Sequence, residues 1–208
     1  MKPTVVSPIN YNFLNTINTI ALKKAFQQYI SFPEEDWDKI KQNIGVKHYK
    51  KGDVFLRSGQ TSNTLGFITR GFFRKYYLKD GDEINFWFYH ENQFLVAYQS
   101  FLERVPTKFQ IEALEDAEIL TLPFEAVQNL YTISEAWQKL GRLVCEKMYI
   151  THHNRIESLL FKDASVRYYD LVKEHPMLLQ RLPQYHLASY LGIKPQSLSR
   201  IRKEYKDI

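Results

Sequence analysis

The amino-acid sequence predicts an α+β protein in three successive parts: an antiparallel β-roll, one long helix and a small helical C-terminal unit. Three observations carry that order. Between Val46 and Leu122, short runs rich in β-branched and aromatic residues are broken at roughly ten-residue intervals by turn signals such as Gly52-Asp53, Ser58-Gly59, Arg70-Gly71 and Glu91-Asn92. An apolar stripe of Ile133, Trp137, Leu140, Val144, Met148 and Thr151 then recurs every three or four residues, as one face of a helix does. From Pro183 to Lys203 two short helical patterns meet at Gly192.

Taken in chain order, the first 18 or so residues predict an irregular arm, Asn- and Thr-rich and without the apolar run of a secretory leader. Leu22, Phe26 and Tyr29 mark a short helix. After the acidic opening Phe32-Pro33-Glu34-Glu35, Trp37, Ile40 and Ile44 mark another. The stretch Val46 to Leu122 reads as all-β. Phe72 to Leu78 and Ile84 to Tyr89 form a hairpin across Lys79-Asp80-Gly81-Asp82-Glu83. Phe124 to Tyr131 makes a short helix, and Ser134 can cap a long one reaching about Leu160. At about 26 residues that helix is about 39 Å long, more than one small β domain needs. Its stripe can pack on its own β domain or pair with its twin across a dimer. Length favours the dimer, with Trp137, Leu140, Val144, Met148 and Thr151 at the interface. Three helical segments close the chain: Ala164 to Lys173, Pro183 to Leu191, and Pro195 to about Tyr205. The predicted division is 1–18 arm, 19–132 β-roll with flanking helices, 133–160 dimerisation helix and 161–208 helical unit.

Composition narrows the function classes. Of 208 residues 44% are apolar and 25% charged, so the chain can bury a core and is not disordered as a whole. One cysteine, Cys145, excludes an internal disulfide and a four-cysteine cluster. No apolar run approaches the roughly 20 residues of a membrane span, so the expectation is a cytoplasmic protein with no membrane partner. The net charge is +5, and residues from Phe161 to Ile208 hold nine basic against five acidic side chains, a net +4 in the last quarter. A basic unit on a nearly neutral body suits a polyanion.

The segment Pro183 to Lys203 reads as a helix-turn-helix. Leu187 and Leu191 face inward, Ala188 is small enough for the second helix to approach, and Gly192 occupies the turn. Ile193 plugs the corner, Pro195 opens the second helix, and Leu198 and Ile201 return to the core. The remaining positions are polar or basic: Gln196, Ser197, Ser199, Arg200, Arg202 and Lys203. Such a face suits the major groove of duplex DNA. With Gln184 and Lys194 they are the expected DNA-binding residues, Arg200 reading a base and Lys203 a phosphate.

At this point the chain, from about Leu22 to Lys203, resembles the Crp/Fnr superfamily of transcription regulators, in particular Bacteroidetes-type members. The resemblance rests on Lys50-Lys51-Gly52-Asp53, Ser58-Gly59-Gln60, Phe67-Ile68-Thr69-Arg70-Gly71, Gly81, Ile111-Glu112-Ala113-Leu114 and the helix-turn-helix. It implies a cyclic-nucleotide-binding-type β-roll, a dimerisation helix, duplex DNA as partner and RNA polymerase as a further candidate. In cyclic-AMP-binding members the cassette supplies glycine, a ribose-binding glutamate and an Arg-Ser pair. Here Val96, Ala97 and Thr107-Lys108 stand at those positions. The ribose acceptor and the guanidinium fork are both missing, which argues against cyclic AMP and leaves the effector unidentified. The implied effector pocket is Phe94, Val96, Ala97, Tyr98, Thr107, Lys108 and Phe109. In the recognition helix only Arg200 matches the cyclic-AMP-dependent pattern; Pro195 and Gln196 depart from it.

A β-roll containing histidines invites a metalloenzyme reading, but His48 and His90 are isolated. His152 and His153, adjacent on a helix, point about 100° apart. Neither a metal site nor catalytic residues are expected, and the histidines read as surface or locally bonded. The expected function is a homodimeric DNA-binding regulator whose β-roll senses a small effector or is purely structural. The alternative is a ligand-binding or protein-interaction module with a vestigial helix-turn-helix, which lacks salt-dependent DNA binding.

Overall fold

The computed structural model describes residues 11–206, with side chains over 19–204. Helix α1 runs Tyr11–Gln27 and α2 Glu34–Lys41. The predicted arm is therefore helical from Tyr11 onward; residues 1–10 lie outside the described part. Asn and β-branched residues lower local helix propensity there. The second half of α1 nevertheless buries Leu22, Ala25 and Phe26 in a core, and tertiary burial of one half carries the helix.

The β-roll holds β1 (Gly45–Tyr49), β2 (Val54–Leu56), β3 (Thr64–Arg70), β4 (Phe73–Lys79), β5 (Asp82–Tyr89), β6 (Phe94–Leu95), β7 (Gln110–Ala113) and β8 (Ala117–Pro123). They form two antiparallel sheets, ordered β1-β8-β3-β6 and β2-β7-β4-β5. The stretch is not all-β: α3 (Tyr98–Glu103) interrupts it. The Tyr98-to-Glu103 segment is too short for a periodicity to declare itself. The hairpin turn is also tighter than predicted. Asp80 and Gly81 alone connect β4 to β5, both at positive φ (54° and 86°), as a two-residue turn matched to strand twist requires.

Each sheet packs apolar side chains on both faces, though β1 and the tip of the β4–β5 hairpin are largely exposed. Ile68, Phe73, Leu95, Ile111 and Ile119 fill the roll interior. On the back of the first sheet, Phe67, Leu120 and Leu122 meet α1, α2 and the helices that follow the roll, α4 (Phe124–Ile133) and α5 (Glu135–Phe161). Trp137 locks that layer: its ring meets Phe26 edge-on at 5.5 Å, and its Nε1 donates to Asp36 Oδ2 at 3.3 Å. Ser134 caps α5 by accepting from the Ala136 N–H at 3.2 Å.

Four helices follow rather than three: α6 (Ala164–Glu174), α7 (Pro176–Arg181), α8 (Gln184–Tyr190) and α9 (Pro195–Lys206). They cover the back of the second sheet, where Phe72 and Phe88, stacked at 5.8 Å, enter one apolar cluster with Leu178, Leu187, Leu191 and Leu198.

The predicted dimer stripe needs correction. Trp137 and Leu140 are 1% and 6% exposed within the protomer, and Val144 packs against the same cluster. Side chains consumed by their own core cannot meet a partner; Met148 and Thr151 are half-buried and line a groove beside them. The face of α5 turned outward is a different one, carrying Tyr149, Ile150, Ile156 and Leu160.

Candidate nucleic-acid interface and effector pocket

The crossing of α8 and α9 is set by the end of α8. Gly192 has φ 70°, its N–H donates to Ser189 O at 3.1 Å, and the Ile193 N–H reaches Ala188 O at 3.0 Å. These are the paired bonds of a glycine-terminated helix. Leu187, Ala188, Leu198 and Ile201 are buried at the crossing. Gln196, Ser199, Arg200 and Lys203 are exposed on α9, with Ser197 and Arg202 half-buried; Lys194 and Gln184 are exposed beside them. Lys194, Arg200, Arg202 and Lys203 make no ion pair among the described residues. On α9, Gln196, Ser199, Arg200 and Lys203 thus share one exposed face, with no ion pair among the described residues.

Two arginines that sequence reasoning missed hold the same turn. The last carbonyls of α8 have no helical partner. Arg155 of α5, buried, donates through Nη2 to Tyr190 O and lies 3.8 Å over the Tyr190 ring. Arg167 of α6 donates through Nε and Nη2 to Leu191 O at 3.1 and 2.7 Å. Both satisfy the negative end of the helix dipole without a carboxylate. No sequence motif marks a residue whose partner is a backbone carbonyl more than twenty positions away.

The helical unit is also bonded to the roll. Buried Arg74 donates to Glu83 and, through Nη2, to Glu112 Oε2 at 2.9 Å. Arg74 Nη1 and Asn85 Nδ2 lie 3.2 and 3.1 Å from His186 Nδ1, which accepts from both with its proton on Nε2. Burial, then the Arg74 charge, pushes this imidazole down to about 4. His186 is 3% exposed because α8 docks on β5, a bonded rather than a surface histidine. Ser189 Oγ donates to Glu83 O at 2.8 Å and accepts from the Asn85 N–H at 2.9 Å. Arg181 pairs with Glu91 at 2.8 Å and Glu115 at 2.6 Å. Burial raises the Glu91 carboxyl, but Arg181 and backbone N–H groups outweigh it and hold it at about 2.

The predicted effector residues do not form one pocket. Phe94, Val96 and Tyr98 line an apolar cavity of about 60 Å³ with Phe26, Trp137 and Val144. The Tyr98 hydroxyl meets the Cys145 thiol at its edge. Ala97 and Thr107 are buried in the wall of the roll, where Thr107 exchanges backbone bonds with Gly59 and Gln60. Lys108 is exposed, and Phe109 packs beneath Lys75. Among the described residues no cluster of His, Cys, Asp or Glu could hold a metal ion, and no helix is long and apolar enough to cross a membrane.

Residues 46–134 match the family model of the cyclic nucleotide-binding domain. The HTH-type transcriptional regulator ArcR of Staphylococcus aureus is 28% identical over 108 residues, 51% of this chain and 45% of the relative, so the match spans about half the relative's length. Among solved structures, a Crp/Fnr-family transcriptional regulator from Eubacterium rectale superposes with TM-score 0.68 at 17% identity, over 84% of each chain. FixK2 from Bradyrhizobium japonicum gives 0.67 at 15% identity, over 79% of this chain and 85% of that one. The c-di-GMP-responsive global regulator CLP of Xanthomonas campestris gives 0.64 at 16%, over 84% and 92%.

Proposed function

We infer, from a cyclic nucleotide-binding domain over residues 46–134 set in a Crp/Fnr fold, that this chain is a sequence-specific DNA-binding transcription regulator acting as a homodimer. The observation that carries the reading is the exposed face of α9, where Arg200 and Lys203 have no acidic partner among the described residues and Leu198 and Ile201 anchor the opposite side. Arg200 reads guanine through its two-pronged guanidinium, and Lys203 contacts phosphate. The β-roll is the sensor, α5 joins two copies, and residues 161–208 meet duplex DNA.

The second copy sits on the outer face of α5. Tyr149, Ile156 and Leu160 are 70%, 50% and 70% exposed there, at the seven- and four-residue steps of a helix seam, with Ile150 at 53% alongside. Large apolar side chains held in water along a 27-residue helix call for a self-complementary cover. Two such copies place their reading helices on half-sites about 34 Å apart.

Selection from random duplexes with the purified protein should return a palindromic site, and log affinity should fall linearly with log salt. Arg200→Ala should relax preference at one base pair, costing about 1–3 kcal/mol. Tyr149→Glu with Ile156→Glu should give monomers by light scattering that no longer bind the palindrome. A double variant that stays dimeric puts the interface elsewhere; equal binding to every sequence removes the regulator reading.

A further inference from the structure

The outer face of α5 carries a polar pair inside its apolar seam. His153 stands between Tyr149 and Ile156, so Tyr149, His153, Ile156 and Leu160 follow one another at steps of four, three and four residues. A histidine in the middle of such a seam weakens it unless its nitrogens find a partner across the interface. The Tyr149 ring lies against the imidazole at 5.8 Å, with the two planes 16° apart, and holds it on the seam.

One turn further on is Glu157. Its Oε1 lies 3.4 Å from His153 Nε2, and both side chains are half-exposed. As a surface ion pair in water such a contact contributes little. The separation is instead that of two ligands on one tetrahedral ion: donors about 2.0–2.1 Å from zinc and about 109° apart stand about 3.3–3.4 Å from each other. Residues four apart on a helix present both donors to one side, and imidazole with carboxylate is a set that zinc accepts. One chain supplies only these two donors here, and no larger cluster of His, Cys, Asp or Glu lies among the described residues. A second copy doubles the set. Two α5 helices that deliver their C-terminal units to one duplex run parallel, so each seam residue faces its own counterpart across the two-fold axis.

We propose that His153 and Glu157 of two copies together form a zinc site on the two-fold axis of the dimer. The site rests on the assignment of the outer face of α5 as the dimer seam, and it adds a metal to that seam. Two imidazole nitrogens and two carboxylate oxygens complete a tetrahedral shell. Because the shell exists only where two copies meet, zinc stabilises the dimer and not the monomer. Reading of a palindrome, which needs both copies, then depends on the metal.

The full chain is stripped with EDTA and titrated with zinc chloride, following the dimer dissociation constant by analytical ultracentrifugation and the stoichiometry by calorimetry. Zinc should bind at one ion per two chains and lower the dimer dissociation constant about tenfold or more. Cobalt(II) in place of zinc should show the visible absorption of a four-coordinate ion. His153→Ala should lose both responses while still dimerising in EDTA, and Glu157→Gln should weaken them. Zinc bound at one ion per chain, six-coordinate cobalt, or a zinc response that survives His153→Ala overturns the site. Failure of the seam is separate. A chain that dimerises in EDTA, becomes monomeric with Tyr149→Glu and Ile156→Glu, and ignores zinc keeps the seam and loses the metal. A double variant still dimeric in EDTA removes the seam, and the zinc site with it.

Discussion

Arg74 and Lys75 are consecutive on β4, so their side chains leave the strand on opposite faces and meet opposite fates. On the outer face Arg74 is enclosed by Glu83 and Glu112 of the roll and by His186 of α8, and the last of those contacts ties the helical unit to the roll. On the inner face Lys75 meets only Phe86 and Phe109. A planar guanidinium can satisfy several acceptors at once, whereas an ammonium between rings keeps most of its donors unused. One sheet thus has an outer face whose cation is paired with acids and an inner face whose cation meets aromatic rings.

The largest way to break that contrast is Arg74→Met. It leaves two carboxylates without their donor and His186 Nδ1 with Asn85 alone. The cost should be about 3 kcal/mol, at the lower end for a broken buried pair because the Glu83 side chain is 40% exposed and can rehydrate. Urea unfolding should show it. An unchanged midpoint would mean the outer network contributes little beyond apolar packing of Phe72 and Phe88.

Arg155 is a third kind of cation, satisfied by a helix end rather than by an acid. Arg155→Met should orphan the Tyr190 carbonyl at a cost of about 1–3 kcal/mol and weaken DNA binding more than it lowers the melting temperature. Arg155→Lys, which keeps a donor, should recover part of the affinity. Loss of stability with full DNA affinity would reduce the residue to packing.

The smallest effect is a slope. Folded Lys75, held at about 8 by burial, releases its proton below the 10.5 of an ordinary lysine. The unfolded chain therefore binds more protons between those values. The cost of the buried charge is present in full below about pH 8 and is relieved as pH rises, so stability should climb from about pH 8 toward 10, by at most about 1.4 kcal/mol per pH unit. Lys75→Met should lack that component. A parent with no rise would place Lys75 in water.

Much of the candidate DNA face was legible because its signals are local. Gly192, Pro195 and the spacing of Leu187, Leu191, Leu198 and Ile201 describe two crossing helices within about twenty residues. At Trp137 and Leu140 the dimer stripe was misplaced for the opposite reason. Trp137 and Leu140 do form an apolar helix face, but periodicity says that a face is buried without saying against what; Asp36, Phe26 and Phe32 supply the answer from over a hundred residues upstream. At the cassette, the side chains that share a space with Phe109 are Lys75 and Tyr77, brought there by sheet pairing.

By itself the sequence determined the order of β-roll, long helix and helix-turn-helix, because turn residues, strand alternation and helical spacing act between near neighbours. Only the tertiary structure decided which face of α5 is free, that α8 docks on β5 through His186, and that Lys75 is left without an acid. Those outcomes depend on desolvation and on partners distant in the chain: the cost of a buried charge is set by what the fold brings next to it.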